Sequence, residues 1–394
     1  MATINLGRIK PVWKNTWTAT TAYVVDDIVR SGVTSYICIN AHTSAASFAV
    51  GSDWQIMSQG SNVGFGTAGQ VLKTNSAGNG TEWGTGSSIN GGTKRTYTSG
   101  GKNYESRTFL GSGDINFPDD QVIDFFMIGA GGAGGNYHTT NGNGGGGAGG
   151  AVEGINYTIS AGSYNIKVGV GTRAPYASAQ GAGDKGEPSI FGSFIAKGGG
   201  GGMTSLSNIA SNSKSRTDGG CGGGGNYMAA NNGGASTQDG YGSITGVTGY
   251  GFAGGANGVT YCGAGGGGIG SQGVNGAASG TGGDGGQGRA CSFKDGTTIY
   301  YGGGGGGGSN SSEHGGTGYH GAGRGWGQTT YYSYTDTAGL NNQVVNSTSL
   351  GSSGLDAFDN TGSGGGAGSY WQGTYLAQGG GSGGSGIVII RWEV

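Results

Sequence analysis

Gln121-Val122-Ile123-Asp124-Phe125-Phe126-Met127-Ile128 runs without a break into Gly129-Ala130-Gly131-Gly132-Ala133-Gly134-Gly135. The first eight residues are apolar at nearly every position, strand-length, and too short to span a bilayer. The seven that follow carry almost no side chain. A buried β-strand thus feeds an extended glycine run that must find its order in some other way. The same junction returns in reverse near the far end, where Gly379–Gly386 leads into Ile387-Val388-Ile389-Ile390-Arg391-Trp392. Two strands this apolar are expected to be neighbours in one sheet, tying together the ends of a long stretch of chain.

Glycine accounts for 102 of the 394 residues. Such a composition without a strict period usually means disorder. Here, however, the glycine runs are short and interleaved with 20 Tyr, 11 Phe and 7 Trp, which disordered segments generally lack. The runs fall at 129–135, 142–150, 198–202, 219–225, 263–268, 282–288, 302–308, 364–368 and 379–386. Ordering a glycine costs more backbone entropy than ordering any other residue, so these runs make sense only where the missing side chains are needed. Chains without Cβ atoms can lie close together in the polyproline II conformation and hydrogen-bond sideways. A helix of that kind has no internal hydrogen bonds and must sit in a bundle. The expectation is an all-β protein in which a slab of polyglycine II segments stacks against a β framework. No G-X-Y period is present, which excludes collagen. Ala151–Ser160, Ser163–Val170 and Ser189–Lys197 are further strand candidates.

The chain divides into three zones. Residues 1–60 are the least glycine-rich. Tyr23–Val29 and Ser35–Ile39 read as two strands with Ser31-Gly32 between them, and Trp13, Tyr23, Tyr36 and Trp54 read as core of a small module. Residues 61–92 form a connector in which Gln70–Thr74 and Thr81–Trp83 flank turn chemistry at Ser76–Gly80. Residues 93–394 form the glycine-rich body.

Each zone carries a resemblance. The order Trp17, Tyr23, Asp27-Ile28-Val29, Gly32, Tyr36, His42, Trp54 resembles the small chitin-binding modules of bacterial chitinases. With the opening INLGRIKPVWKNTW, it is similar to N-terminal units of virion structural proteins from phages of marine cyanobacteria. That second likeness implies docking on a particle. Gly69-Gln70-Val71-Leu72 with Trp83 resembles a short element of phage tail-fibre stalks, which implies a homotrimer packed about Val71, Leu72 and Trp83. Asp114–Pro118, Gln121–Ile128 and the closing Ile387–Trp392 resemble the entry and exit of glycine-rich domains in phage tail proteins. The body as a whole resembles tail-tip adhesins built on polyglycine II.

The formal net charge is −2 and only 10% of residues are charged, so no long-range field draws in nucleic acid or anionic membrane. The mixed opening MATINLGRIK predicts synthesis in a host cytoplasm, the short apolar stretches predict no membrane insertion, and the resemblance to phage tail proteins implies a place in the virion tail. Cys38, Cys221, Cys262 and Cys291 share no metal-ligand spacing and read as reduced structural thiols. His42, His138, His314 and His320 read as solvated loop histidines. Asp26-Asp27 reads as a strand pair facing opposite ways, Asp119-Asp120 as a turn, and Asp284 as a turn aspartate rather than a calcium ligand. No catalytic constellation, cofactor site or metal site is expected.

Recognition then falls to the segments that interrupt the glycine runs. Met203–Asp218 is polar. His320–Asn360 is long and holds Trp326, Tyr331, Tyr332 and Tyr334, while Tyr370, Trp371 and Tyr375 form a second cluster. Aromatic area set among short polar groups suits a host surface glycan or an outer-membrane receptor. The same rings also suit plugs of the slab or of an oligomer interface. The expected function is host attachment by a phage tail fibre whose N-terminal module binds other virion tail proteins. A structural decoration or adaptor protein and a glycan-degrading tail enzyme are the alternatives. A bacterial surface adhesin fits less well with the opening residues.

Overall fold

The computed structural model describes residues 11–32, 34–59, 70–74, 81–85, 89–136, 142–173, 181–204, 214–227, 233–256, 261–309, 314–327, 354–369 and 379–394. The fold is nearly all β, and the chain divides into two compact units, 1–88 and 89–394.

The first unit contains β1 (Val12–Thr16), β2 (Ala22–Tyr23), β3 (Asp27–Ser31), β4 (Thr34–Cys38), β5 (His42–Thr43) and β6 (Trp54–Gln59). One sheet has the order β1-β3-β4-β6, and β2 pairs with β5. The single strand expected over Tyr23–Val29 is broken in two. Asp26 adopts a positive φ of 72°, and the buried Asp27 carboxylate accepts the Val24 N–H at 2.9 Å, closing a turn. A short side chain that bonds the local backbone outcompetes strand propensity here. Tyr23, Val29, Cys38 and Trp54 form the small core, with Trp17, Tyr36 and Phe48 packed against it. Trp13 does not join them, being 51% exposed.

β7 (Gln70–Thr74) and β8 (Thr81–Thr85) form the expected hairpin, with Leu72 opposite Trp83 and Val71 opposite Gly84. What surrounds the side chains of Val71, Leu72 and Trp83 lies outside the described residues.

The body holds β9 (Thr93–Ser99), β10 (Lys102–Phe109), β11 (Gly113–Phe117), β12 (Gln121–Ile128), β13 (Ala151–Ile159), β14 (Gly162–Lys167), β15 (Ser189–Phe191) and β16 (Phe194–Ala196). A single helical turn, α1 (Lys214–Thr217), follows, and then β17 (Val247–Tyr250), β18 (Arg289–Cys291), β19 (Ile299–Tyr301) and β20 (Ile387–Glu393). The main sheet has the order β17-β13-β12-β20-β10-β9. Entry strand β12 and exit strand β20 are adjacent and antiparallel, pairing Phe125 with Ile390 and Ile128 with Ile387. Both are buried on two faces, which explains their unbroken apolar sequence. Ile123, Phe125, Met127, Val388, Ile390 and Trp392 belong to a core shared with residues of the second sheet, β11-β14-β15-β16. Phe126, Ile128, Ile387 and Ile389 belong to a second core with Ile269, Cys291, Phe293 and Tyr301.

Beyond these strands the glycine runs form a hydrogen-bonded lattice with a period of three. Gly129, Gly132 and Gly135 donate to the carbonyls of Gly150, Gly147 and Gly144. Ala130 and Ala133 donate to Glu187 and Asp184, while Gly131 and Gly134 donate to Gly384 and Gly381, all at 2.9 Å. Each run thus serves three directions in turn, as a threefold polyproline II helix requires. The run 142–150 is the hub. Its amides and carbonyls bond residues of 129–135, 197–203, 221–224, 264–267, 305–308 and 362–365.

Gly131, Gly146, Gly223 and Gly305 all avoid positive φ. Their glycine identity therefore rests on spacing. A Cβ on them would overlap the carbonyls of Ser363, Gly132, Gly201 and Gly365.

His320 departs from expectation. It is buried at the turn between two runs, its ring stacks on Tyr300 at 4.5 Å, and its Nδ1 accepts the Gly288 N–H at 2.9 Å. An acceptor role there requires the proton to be absent from Nδ1.

Candidate binding face at the end of the glycine slab

The glycine runs leave the sheets at one end, and 129–135 lies antiparallel to 142–150. At the far end they stop on small polar residues: Asn136, Asn143, Thr204, Asn226, Ser309 and Ser369, all fully buried. Asn143, Thr204, Asn226 and Ser309 close the lattice with side-chain bonds in place of sideways amides, while the buried Ser369 hydroxyl has no hydrogen-bond partner among the described residues. Asn143 Nδ2 donates to the Gly368 carbonyl at 2.8 Å, Thr204 Oγ1 to Asn136 at 2.9 Å, and Ser309 Oγ to Gly280 at 2.6 Å. Asn226 Nδ2 donates to the Thr204 carbonyl. Buried polar groups satisfied in this way make a rigid layer.

The stretches 137–141, 174–180, 205–213, 228–232, 257–260, 310–313, 328–353 and 370–378 lie outside the described residues. Each begins or ends at this layer. Asn136 precedes the first, and its N–H bonds Gly181, which follows the second. Thr204 precedes the third and Asn226 stands just before the fourth. Tyr261 follows the fifth and accepts the Gly142 N–H at 3.2 Å. Ser309 precedes the sixth and donates its N–H to the Trp326 carbonyl at 2.8 Å, just before the seventh. Ser369 precedes the eighth. Described residues that flank these stretches, spread over more than two hundred positions of sequence, are thereby laced into one layer.

Trp326, partly buried, sits at this face, and its N–H bonds Ala367 at 2.9 Å. The runs leading to 328–353 and to 370–378 are therefore neighbours. Tyr331, Tyr332, Tyr334, Tyr370, Trp371 and Tyr375 themselves lie outside the described residues. Two aromatics at this end escaped the sequence reading. Tyr227 is partly buried, and Tyr261 is 52% exposed with a φ of 80°. A bulky residue at positive φ is held there by its surroundings. Its sequence signal was its place two residues before a glycine run. Of the polar segment 203–218, Met203, Thr204 and Thr217 are buried, and Arg216 pairs with Asp184 at 3.1 Å.

Burial pushes the thiols of Cys221 and Cys291 up to about 12, and raises those of Cys38 and Cys262. Among the described residues no three His, Cys, Asp or Glu side chains come together as metal ligands, and no helix is long and apolar enough to cross a membrane. Asp284 caps the slab edge, accepting the Thr317 N–H at 2.6 Å.

A β framework carrying a glycine lattice defines a class of glycine-rich β proteins. The model of a glycine-rich domain family matches residues 108–393, and the chain belongs to that family. No curated protein matches it.

Proposed function

We propose that this protein is a phage tail-fibre or tail-tip adhesin that recognises a host-surface receptor through the polar end of its glycine slab. One observation carries the reading: eight interruptions of the glycine runs begin or end at a single rigid face. A scaffold that fixes the roots of many variable stretches is the arrangement binding proteins use, because affinity then costs little ordering of the support. Trp326, Tyr331, Tyr332 and Tyr334, with Tyr370, Trp371 and Tyr375, are the contact residues in this reading. Residues 1–60 dock the protein onto other virion tail proteins. The hairpin with Leu72 opposite Trp83 supplies a homotrimer axis together with Val71.

Cell adsorption tests the proposal. Particles carrying Trp326→Ala, Tyr331→Ala and Tyr332→Ala together are expected to lose adsorption while the purified protein keeps its melting temperature. Normal adsorption would move recognition elsewhere. A large loss of stability would show that the rings are plugs of the slab.

A further inference from the structure

We infer a second, lateral binding site for an acidic oligosaccharide, in a groove on the flank of the slab bounded by Arg173 and Asp359. The groove has a volume of about 530 Å3 and is lined by Leu110, Val170, Thr172, Arg173, Asp359 and Ser382, among others. It goes beyond the end face and involves none of the aromatics assigned there.

Its base is rigid. Gly383 N donates to the Thr172 carbonyl at 3.1 Å, and Gly386 N to the Gly169 carbonyl at 2.9 Å, so the two runs beneath the groove are laced together. Its charges are available. Arg173 is exposed and has no hydrogen-bond or ion-pair partner among the described residues. Among the described residues Asp359 accepts only a long contact, 3.5 Å, from the Ser385 N–H, which leaves carboxylate lone pairs open to a ligand. No ion pair joins the two groups among the described residues, and both line the same groove.

Two aliphatic side chains complete the chemistry. Leu110 is 54% exposed and Val170 63% exposed, an apolar patch against which the C–H face of a sugar ring can lie. Thr172 also lines the groove, its hydroxyl donating to the Gly131 carbonyl at 3.2 Å. Arg173 matches a sugar carboxylate with its fork of donors, and Asp359 matches a pair of sugar hydroxyls. A second hollow of about 450 Å3 also has Leu110 in its lining.

An extended peptide is a poorer occupant. Strand addition needs a row of open backbone donors and acceptors. On this wall the Ser382 N–H is already taken by Asp356 at 2.5 Å and the Asn360 N–H by Ser385 Oγ at 2.8 Å.

Trigalacturonate is a suitable probe, with neutral galactotriose as its counterpart, titrated against the purified full-length protein by calorimetry. Wild type is expected to bind trigalacturonate saturably, and at least about tenfold more tightly than galactotriose. Arg173→Ala should weaken binding about tenfold or more, the scale of a lost charged hydrogen bond. Asp359→Asn should weaken it less, and Val170→Arg should block it, all three with unchanged melting temperature. The Trp326/Tyr331/Tyr332 variant should bind the probe normally, which separates this site from the end face. Absence of saturable binding by wild type, equal affinity for both sugars, or unchanged binding by Arg173→Ala would each overturn the inference.

Discussion

Asp124 and Arg391, 267 positions apart in the chain, face each other across β12 and β20, with Arg391 Nε 2.9 Å from Asp124 Oδ2. The guanidinium lies between the rings of Tyr104 and Phe293, at 4.4 and 4.1 Å from their centroids, and also donates to the Tyr97 hydroxyl at 3.2 Å. One cation thus fastens β9, β10, β12, β20 and the turn after β18. Removing one partner of a pair this buried leaves the other unpaired at low dielectric. Asp124→Ala or Arg391→Ala should therefore lower the stability of the body by about 3 kcal/mol in urea unfolding. Losses below about 0.5 kcal/mol, the range of ordinary surface changes, would show that the pair is ornamental.

Glycine replacement separates spacing from flexibility. Gly305→Val places a Cβ on the Gly365 carbonyl, and Gly223→Val does the same to Gly201. Each should cost about 3 kcal/mol or more, since the lattice has no room to relax. Gly242 has open space around it and no positive φ. Gly242→Ala should be neutral or stabilise by up to about 1 kcal/mol through the unfolded chain. Thermal melts of the three variants would decide, and equal behaviour would refute the lattice argument.

Alkaline pH should weaken the body. The folded thiols of Cys221 and Cys291 hold their protons up to about 12, against an ordinary value of 9.0. A proton held more tightly in the folded state stabilises below the unfolded value, and that contribution is lost as pH rises. Stability should thus be flat to about pH 9 and then fall by roughly 1.4 kcal/mol per pH unit for each buried thiol. Cys221→Ala should reduce that slope. A thiol reagent at pH 8 should label neither residue until the protein is unfolded.

Oligomeric state tests the connector. The body starts at Ile89, and Asn90 bridges Asn116, so a clean excision removes residues 61–88 and spares both. Native mass measurement should give a trimer for the full chain and a monomer for the deletion. A monomeric full-length protein would defeat the trimer proposal. Deleting residues 1–60 should leave the oligomer intact but absent from particles.

The apolar strands β12 and β20 were legible in the sequence because burial on both faces leaves no polar position to blur them. The glycine runs were legible as ordered because aromatic residues punctuate them. Local competition was not: nothing in the pattern of Tyr23–Val29 shows that the Asp27 carboxylate will take the Val24 N–H and break the strand. The burial of His320 was equally hidden, since its neighbours Tyr300 and Gly288 come from other runs. The end face was the least visible feature of all. Glycines carry no side-chain pattern to fix which run lies beside which, so the partnership of Gly131 with Gly384, or of Trp326 with Ala367, exists only in the hydrogen-bond lattice. The sequence by itself determined that this chain is an all-β protein with ordered glycine runs and paired end strands. Only the tertiary structure decided which run ends lie together, because a backbone lattice rather than side-chain periodicity sets the register.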